Sequence, residues 1–293
     1  FIDYKMSLME CIKTTLIFVL VSECAVSTNE YMKREHSLVP PFQGVGVNLA
    51  NWDFLGHTVM TSNYIRLTPD LQSKSGALWN YSPCLTKKWE VHVTFKVHGK
   101  GTERFGNGFA IWYTKERMQP GPVFGSKDHF SGLAVILDTY SNHNDTYNHQ
   151  HPYLSAMVNN GTISYNHDRD GTHTQLAGCE VHFRNFNFDT HVAICYENDI
   201  LSVSTDLENR NEWKNCFVVN NVELPTRYFF GLSATTGDMS DNHDILSFKV
   251  YDLETPDDII PSAHIHCHLY RKTPYHLKLL LICLFFLGIF YKN

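Results

Sequence analysis

This sequence predicts an all-β fold, a sandwich of two antiparallel sheets packed face to face, and three patterns point to it. Trp89-Glu-Val-His-Val-Thr-Phe-Lys-Val-His98 alternates strictly, so Trp89, Val91, Val93, Phe95 and Val97 face inward and the polar residues outward. Phe109-Ala-Ile-Trp-Tyr113 and Gly132-Leu-Ala-Val-Ile-Leu137 are continuous apolar runs of strand length, which suits strands buried within a sandwich. Turn signals such as Asn160-Gly161 and Asp170-Gly171 punctuate the chain, and no long helical periodicity intervenes. Many short strands without helices between them bury their apolar faces by stacking two sheets.

The elements follow in order. Residues 1–28 read as a signal peptide region: Met6 is the expected start, Lys13 precedes the apolar run Thr14–Val21, and the small residues around Ala25-Val-Ser27 suit cleavage. Such a leader delivers the chain to an oxidising compartment, where disulfides form. One domain, residues 36–254, comes next, with no internal repeat. Within it, Val192–Tyr196 and Ile200–Val203 flank Glu197-Asn-Asp199, a hairpin turn, and Leu246-Ser-Phe-Lys-Val-Tyr251 alternates again. Thr255-Pro-Asp-Asp258 opens a polar stalk, residues 255–276. The apolar segment 277–291 is expected to span a membrane. Arg271, Lys272 and Lys278 precede it and only Lys292 follows, the reverse of the usual bias for a cytosolic C-terminus. The alternative is a glycolipid-anchor signal, with Ser262-Ala263 as its small residues.

The bulk numbers bound the function. The chain has 293 residues and a net charge of −6 with no basic tract, which excludes nucleic acid as a partner. Of eight cysteines, Cys84, Cys179, Cys195 and Cys216 lie in the domain. Cys179 and Cys216 follow similar turn-like contexts, Ala-Gly and Lys-Asn, and are the preferred pair. Cys195, inside Val192-Ala-Ile-Cys-Tyr196, is expected to be a small buried hydrophobe. No C-x-x-C occurs, which argues against thiol redox chemistry and zinc ribbons.

The chemistry concentrates in Leu137-Asp-Thr-Tyr-Ser-Asn142 and Asn166-His-Asp-Arg-Asp170. Asp138, Asn142 and Asp170 are hard oxygen donors, and such donors suit Ca²⁺. A side-chain amide also carries donors that can meet a sugar hydroxyl. Two acidic loops leaving strand ends therefore read as one calcium-organised binding site. The plainer alternative is that Asp and Asn decorate turns. The spacing is not that of an EF-hand loop.

Further stretches carry a resemblance. His36-Ser-Leu38, Gln43-Gly-Val-Gly46, Trp52-Asp-Phe54, Leu67-Thr-Pro-Asp70, Pro120–Asp128, Asn159-Asn-Gly161, Glu212-Trp-Lys-Asn-Cys216 and Thr236–Asp244 resemble the L-type, legume-lectin-like cargo lectins of the early secretory pathway. The similarity covers nearly all of residues 36–254. It implies a concanavalin-like jelly roll that binds high-mannose N-glycans on cargo glycoproteins with Ca²⁺. It also implies a single-pass type I protein of endoplasmic reticulum and Golgi membranes, its lectin domain lumenal. Carried over residue by residue, the calcium ligands fall on Asp138, Asn142, Asp170 and the backbone carbonyl of Tyr140. The sugar contacts fall on Ser73, Asn107, Asn142, His167, Gly237, Asp238 and Met239, and the disulfide on Cys179 and Cys216. His167 is expected to lie beside the acidic ligands. One position departs: the family has an aspartate after a cis peptide where this chain has Asn107.

Other constellations read differently. His264-Ile-His-Cys-His268 and His143–His151 hold metal-ligand types but are expected to be a solvated stalk and a surface loop. Of the sequons at Asn80, Asn144 and Asn160, Asn160 is the expected glycosylation site, and Pro83 weakens the first. Glycoside hydrolysis needs two carboxylates about 5–10 Å apart across one bond, and no strand carries closely alternating acids; Glu90 stands alone on its strand. An interaction module that keeps the lectin fold without sugar binding is the remaining alternative, raised by Asn107.

Overall fold

The computed structural model describes residues 32–43, 49, 51–102, 105–142 and 150–254. The signal peptide region, the stalk, the apolar segment 277–291, Asn144 and His264–His268 lie outside the described residues. Among the described residues, no helix is long and apolar enough to cross a membrane.

The apolar runs become strands that pair antiparallel: β1 (Trp52–Gly56), β2 (Val59–Met60), β3 (Ile65–Thr68), β4 (Ser75–Asn80), β5 (Trp89–His98), β6 (Gly108–Thr114) and β7 (Ser131–Asp138). They continue as β8 (Tyr153–Asn160), β9 (Ala177–Glu180), β10 (Thr190–Glu197), β11 (Ile200–Asp206), β12 (Lys214–Asn220), β13 (Phe229–Thr235) and β14 (Asn242–Asp252). One seven-stranded sheet has the order β1-β4-β13-β6-β7-β8-β9 and the other β12-β11-β10-β5-β14-β3-β2. The predicted two-sheet sandwich is the observed architecture.

Burial explains the two kinds of strand. In β5 every second residue is buried, because only one face of the second sheet meets the core. Trp89 anchors that face against Tyr113, Tyr196 and Phe230, at ring distances of 5.0, 5.7 and 5.3 Å. In β6 all residues are buried, and in β7 all but the first. Phe109, Ile111, Tyr113, Leu133, Val135 and Leu137 fill the space between the sheets. Ala110, Trp112, Ala134 and Ile136 point the other way, into a second cluster with Trp79, Phe124, Phe130 and Tyr165. A covering segment thus closes the outer face of β6 and β7. Full burial of each large side chain is worth about 1.5–3 kcal/mol.

Three local expectations change. Glu197 pairs with Ile200, so the hairpin turn is the two residues Asn198-Asp199, with φ of 52° and 60°. Positive φ at both positions is what a type I′ turn needs, and Asn and Asp tolerate it. In β14 the register shifts between Ile245 and Ser247. This bulge leaves Leu246 half-buried and turns Ile245 inward instead. Cys195 is half-buried rather than buried, because it lies opposite Glu90 and Ser202 on the outer face of its sheet. Among the described residues Cys84 is the buried free thiol, and burial raises its pKa to about 11. Asn80 is fully buried and bonded to His36, which leaves no room for a glycan in the folded domain.

Cys179 and Cys216 form a disulfide, with Cα atoms 5.6 Å apart. It joins β9 to β12, the outermost strands of the two sheets on one side. The bond therefore clips the sandwich where no backbone ladder crosses between layers. Its sequence separation is 37 residues, and closing such a loop stabilises by about 3–4 kcal/mol in the chain-entropy model. Replacing both cysteines by alanine should lower the urea unfolding free energy by that amount. An unchanged midpoint would rule the clip out as a source of stability.

A second prediction concerns pH. His243 is completely buried, with Nδ1 2.7 Å from the Thr68 hydroxyl. Burial pushes its pKa down to about 3, against an opposing pull from Asp244; His98 and Arg184 push further down. The unfolded chain protonates this histidine near 6.5. Its contribution to stability is therefore complete above that pH and is lost as pH falls towards 3. Between pH 7 and 5 the loss is about 2 kcal/mol. Urea unfolding at the two pH values should show a drop smaller by that amount in His243→Asn. Equal drops in both proteins would exclude His243 as the cause.

Candidate binding site

The site is built from the ends of β6 and β7. Gly108 pairs with Asp138 across these strands. Its φ is +137°, and a Cβ there would lie 2.3 Å from the Leu137 carbonyl oxygen. Only glycine lets the two strands stay paired up to the carboxylate. The Thr139 amide then donates to the Asn107 carbonyl at 3.0 Å, which brings the residues following β7 beside those preceding β6. The peptide Gly106–Asn107 is cis.

Asp138 and Asp170 meet here. Asp138 is 8% exposed and accepts the Tyr140 amide at 3.0 Å. Asp170 is 4% exposed, in the left-handed conformation at the end of the short 3-10 turn His167–Arg169. It accepts the Asn142 amide at 3.1 and 3.3 Å. Burial holds the Asp138 carboxyl well above the usual carboxylate range, and the charge of Asp170 adds to this; the Tyr140 amide opposes it. Two buried carboxylates that disfavour each other's charge are a strong attractor for a cation. The donors are hard oxygens, so the set fits Ca²⁺. Asn142 is exposed at the mouth, and Tyr140 is 36% exposed beside it.

The sequence-derived sugar residues converge on the same mouth. A Cβ at Gly237 would sit 3.4 Å from both side-chain atoms Oδ1 and Nδ2 of Asn107, so the amide lies directly against this glycine. The Ser73 amide donates to the Gly237 carbonyl at 3.1 Å, and the Gln72 side chain to the Asp238 carbonyl at 2.8 Å. A Cβ at Gly106 would touch the Cβ atoms of Tyr140 and Met239, at 2.9 and 3.8 Å. The loop is fixed beyond Met239 by Ser240 donating to Asp70 at 2.6 Å and by Arg184, which grips the fully buried Asp241 with two bonds of 2.8 and 2.7 Å. A paired, fork-shaped contact of this kind fixes geometry as well as charge.

His167 packs on Tyr165 and Phe124, at ring distances of 4.7 and 5.8 Å. Burial lowers its pKa, against a bond to the Pro122 carbonyl and the charges of Asp128 and Asp168. The expected place beside the acidic ligands holds for Asp170, whose backbone amide donates to the His167 carbonyl at 3.0 Å. Asp128 organises this side of the site, accepting from Ser164, the Tyr165 amide and the His129 amide at 2.5, 2.9 and 2.8 Å. Asn160 is exposed at the far end of β8, its side-chain oxygen accepting from the Thr162 hydroxyl at 2.6 Å.

His151 is the residue that sequence reasoning missed. It was expected in a surface loop, yet its side chain is 6% exposed, with Nε2 3.6 Å from Asp170 and 3.9 Å from Asp138. No local sequence signal marked it: the β7–β8 pairing puts Tyr153, the first residue of β8, opposite Asp138, and this register brings the residues before β8 past the carboxylate.

A jelly roll with buried carboxylates and amides gathered where two central strands end has the architecture of a lectin. Residues 29–259 match the model of the legume-like lectin family, and the chain belongs to that family. It is 53% identical over 248 residues to the vesicular integral-membrane protein VIP36 of Canis lupus familiaris, covering 83% of this chain and 69% of that one. It is 50% identical over 234 residues to the VIP36-like protein of Mus musculus, covering 78% and 67%. The VIP36 exoplasmic/lumenal domain in its Ca²⁺/Man2-bound form superposes with a TM-score of 0.74 at 53% identity, covering 81% of this chain and all of that one.

Proposed function

We propose that this protein is a calcium-dependent mannose-binding lectin that carries high-mannose N-glycoproteins between the endoplasmic reticulum and the Golgi. The observation that carries the reading is the buried pair Asp138 and Asp170, set beside the Asn107–Gly237 contact. The relative of known structure binds Ca²⁺ and Man2 with the same fold. In this reading residues 36–254 are the lumenal lectin domain, behind a signal peptide and ahead of the stalk 255–276 and the span 277–291. It is a binding protein and not an enzyme.

Asp138, Asn142, Asp170 and the Tyr140 carbonyl hold the ion, which neutralises the carboxylates and fixes the loop between them. With its oxygen on the ion, Asn142 directs its amide hydrogens at a mannose hydroxyl. Ser73, Asn107, His167 and the Gly237-Asp238-Met239 backbone supply the other sugar bonds. Each nets only about 1 kcal/mol against water, so several must act together. Gly237 keeps the surface above Asn107 clear, and His167, whose charged form burial disfavours, offers a ring nitrogen. Asn160 carries an N-glycan away from this mouth.

Calcium should stabilise the domain, because a ligand bound only by the native state raises stability by RT ln(1 + [L]/Kd), or about 2.7 kcal/mol at one hundred times Kd. Thermal melts with Ca²⁺ and with chelator should differ by several degrees in wild type and coincide in Asp138→Asn. Coincident wild-type curves would remove the site.

Asn107 offers a neutral acceptor where a carboxylate would give charge-assisted bonds. Asn107→Asp should therefore tighten binding of a mannose disaccharide about tenfold, roughly 1.4 kcal/mol. Isothermal titration at saturating Ca²⁺ measures this. Tight wild-type binding with no gain would show that the loop is adapted to the amide. No binding by either protein would favour an interaction module that has lost its sugar.

A further inference from the structure

We infer that Arg184 is a positioning residue for the sugar, a clamp that ties two walls of the mouth to one rigid base through Phe105 and Asp241. The role rests on the lectin reading and falls to a residue that is neither an expected ion ligand nor an expected sugar contact.

The base is built on the second sheet. Arg184 bridges in parallel to Val97, near the end of β5. Phe183 before it is buried in the core, its ring 5.8 Å from that of Phe95. Asn185 after it locks the backbone: its amide donates to the Val97 carbonyl at 2.9 Å, and its side-chain oxygen accepts the Gly99 amide at 3.1 Å. From this base the Arg184 side chain, 7% exposed, reaches in two directions. Its Nε and Nη2 donate to Asp241 at 2.8 and 2.7 Å. Its guanidinium carbon lies 4.0 Å from the centroid of the Phe105 ring, well within the range at which a cation is held by an aromatic face. Gly99 leaves the room for this: a Cβ there would lie 2.2 Å from Asp241 Oδ1 and 3.3 Å from Arg184 Nη2.

Phe105 and Asp241 belong to opposite walls. Phe105 stands two residues ahead of Asn107, and Asp241 two residues beyond Met239. The walls face each other where Asn107 lies against Gly237 and where a Cβ at Gly106 would lie 3.8 Å from that of Met239. Recognition by several weak bonds needs its groups held within about 0.5 Å of the productive geometry. Arginine suits the task, because its rigid fork grips a carboxylate through two bonds while its flat face stacks on a ring; a lysine ammonium keeps the charge and does neither. The ion ligands hang on a different frame, with Asp138 at the end of β7 and Asp170 at the end of the turn His167–Arg169. The clamp therefore governs sugar affinity and leaves ion affinity alone. The competing account is that the buried Arg184–Asp241 pair serves only to satisfy its own charges within the fold.

The test uses the full chain in detergent and two calorimetric titrations: Ca²⁺ into the chelator-stripped protein, and a mannose disaccharide into the protein at saturating Ca²⁺. Phe105→Leu removes the stack without leaving a buried charge unpaired, and Arg184→Lys keeps the charge but loses the fork. Each should weaken the disaccharide about tenfold and change Ca²⁺ by less than about threefold. Phe105→Tyr, which restores a ring, should bind the disaccharide within about threefold of wild type. The double variant should lose little more than the worse single one, because both changes act on one clamp. Phe105→Leu decides the matter if Arg184→Lys does not fold. Unchanged disaccharide affinity in Phe105→Leu, or a parallel loss of Ca²⁺ and sugar, would overturn the clamp and leave the lectin reading standing. Failure of the wild type to bind the disaccharide would overturn both.

Discussion

A carboxylate at the end of an apolar strand governs this protein. β7 buries its hydrophobic residues on both faces and then presents Asp138, still buried, at its last position. Burial opposes the charge, and Asp170, arriving from a separate turn, opposes it further. A cation relieves both penalties at once, which neither hydrogen bonds nor solvent does at this depth. The surrounding structure is arranged to keep that carboxylate in place. Gly108 allows β6 to pair with it, and the Thr139–Asn107 bond carries the pairing one step past the strands.

The two-faced burial of β6 and β7 is what gives the site its rigidity. Between the sheets they meet Phe95 and Phe230, and on the other side the cluster of Trp79, Trp112, Phe124, Phe130 and Tyr165. Phe124 and Tyr165 belong both to that cluster and to the packing of His167. The outer core and the binding mouth are thus one continuous body. The loop on the other side is tied by ion pairs and short bonds instead, chiefly Arg184 with Asp241 and Ser240 with Asp70. Hydroxyl groups of a sugar are recognised by many weak bonds, and such bonds add only if their donors do not move.

Membership of the legume-like lectin family is consistent with this division of labour. The sandwich is a scaffold, and recognition lies in the segments that leave it at one end. Asn107 lies against Gly237 at that end, and His151 approaches the two carboxylates there.

The sequence by itself determined the strand class. Alternation in Trp89–His98 fixes a strand with one buried face, and the unbroken run Gly132–Leu137 one with two, because side chains repeat every second residue. It also supplied Asp138, Asn142 and Asp170 as hard donors, and the contexts of Cys179 and Cys216, whose bond the structure contains. What only the tertiary structure decided depends on register. The bulge that displaces Leu246, the outward face of Cys195, the burial of Asn80 and the approach of His151 to two carboxylates each follow from which residue stands opposite which. Pairing between residues far apart in the chain is settled by the packing of whole sheets, and a slip of one position would reverse every face. No local pattern in the sequence carries that information.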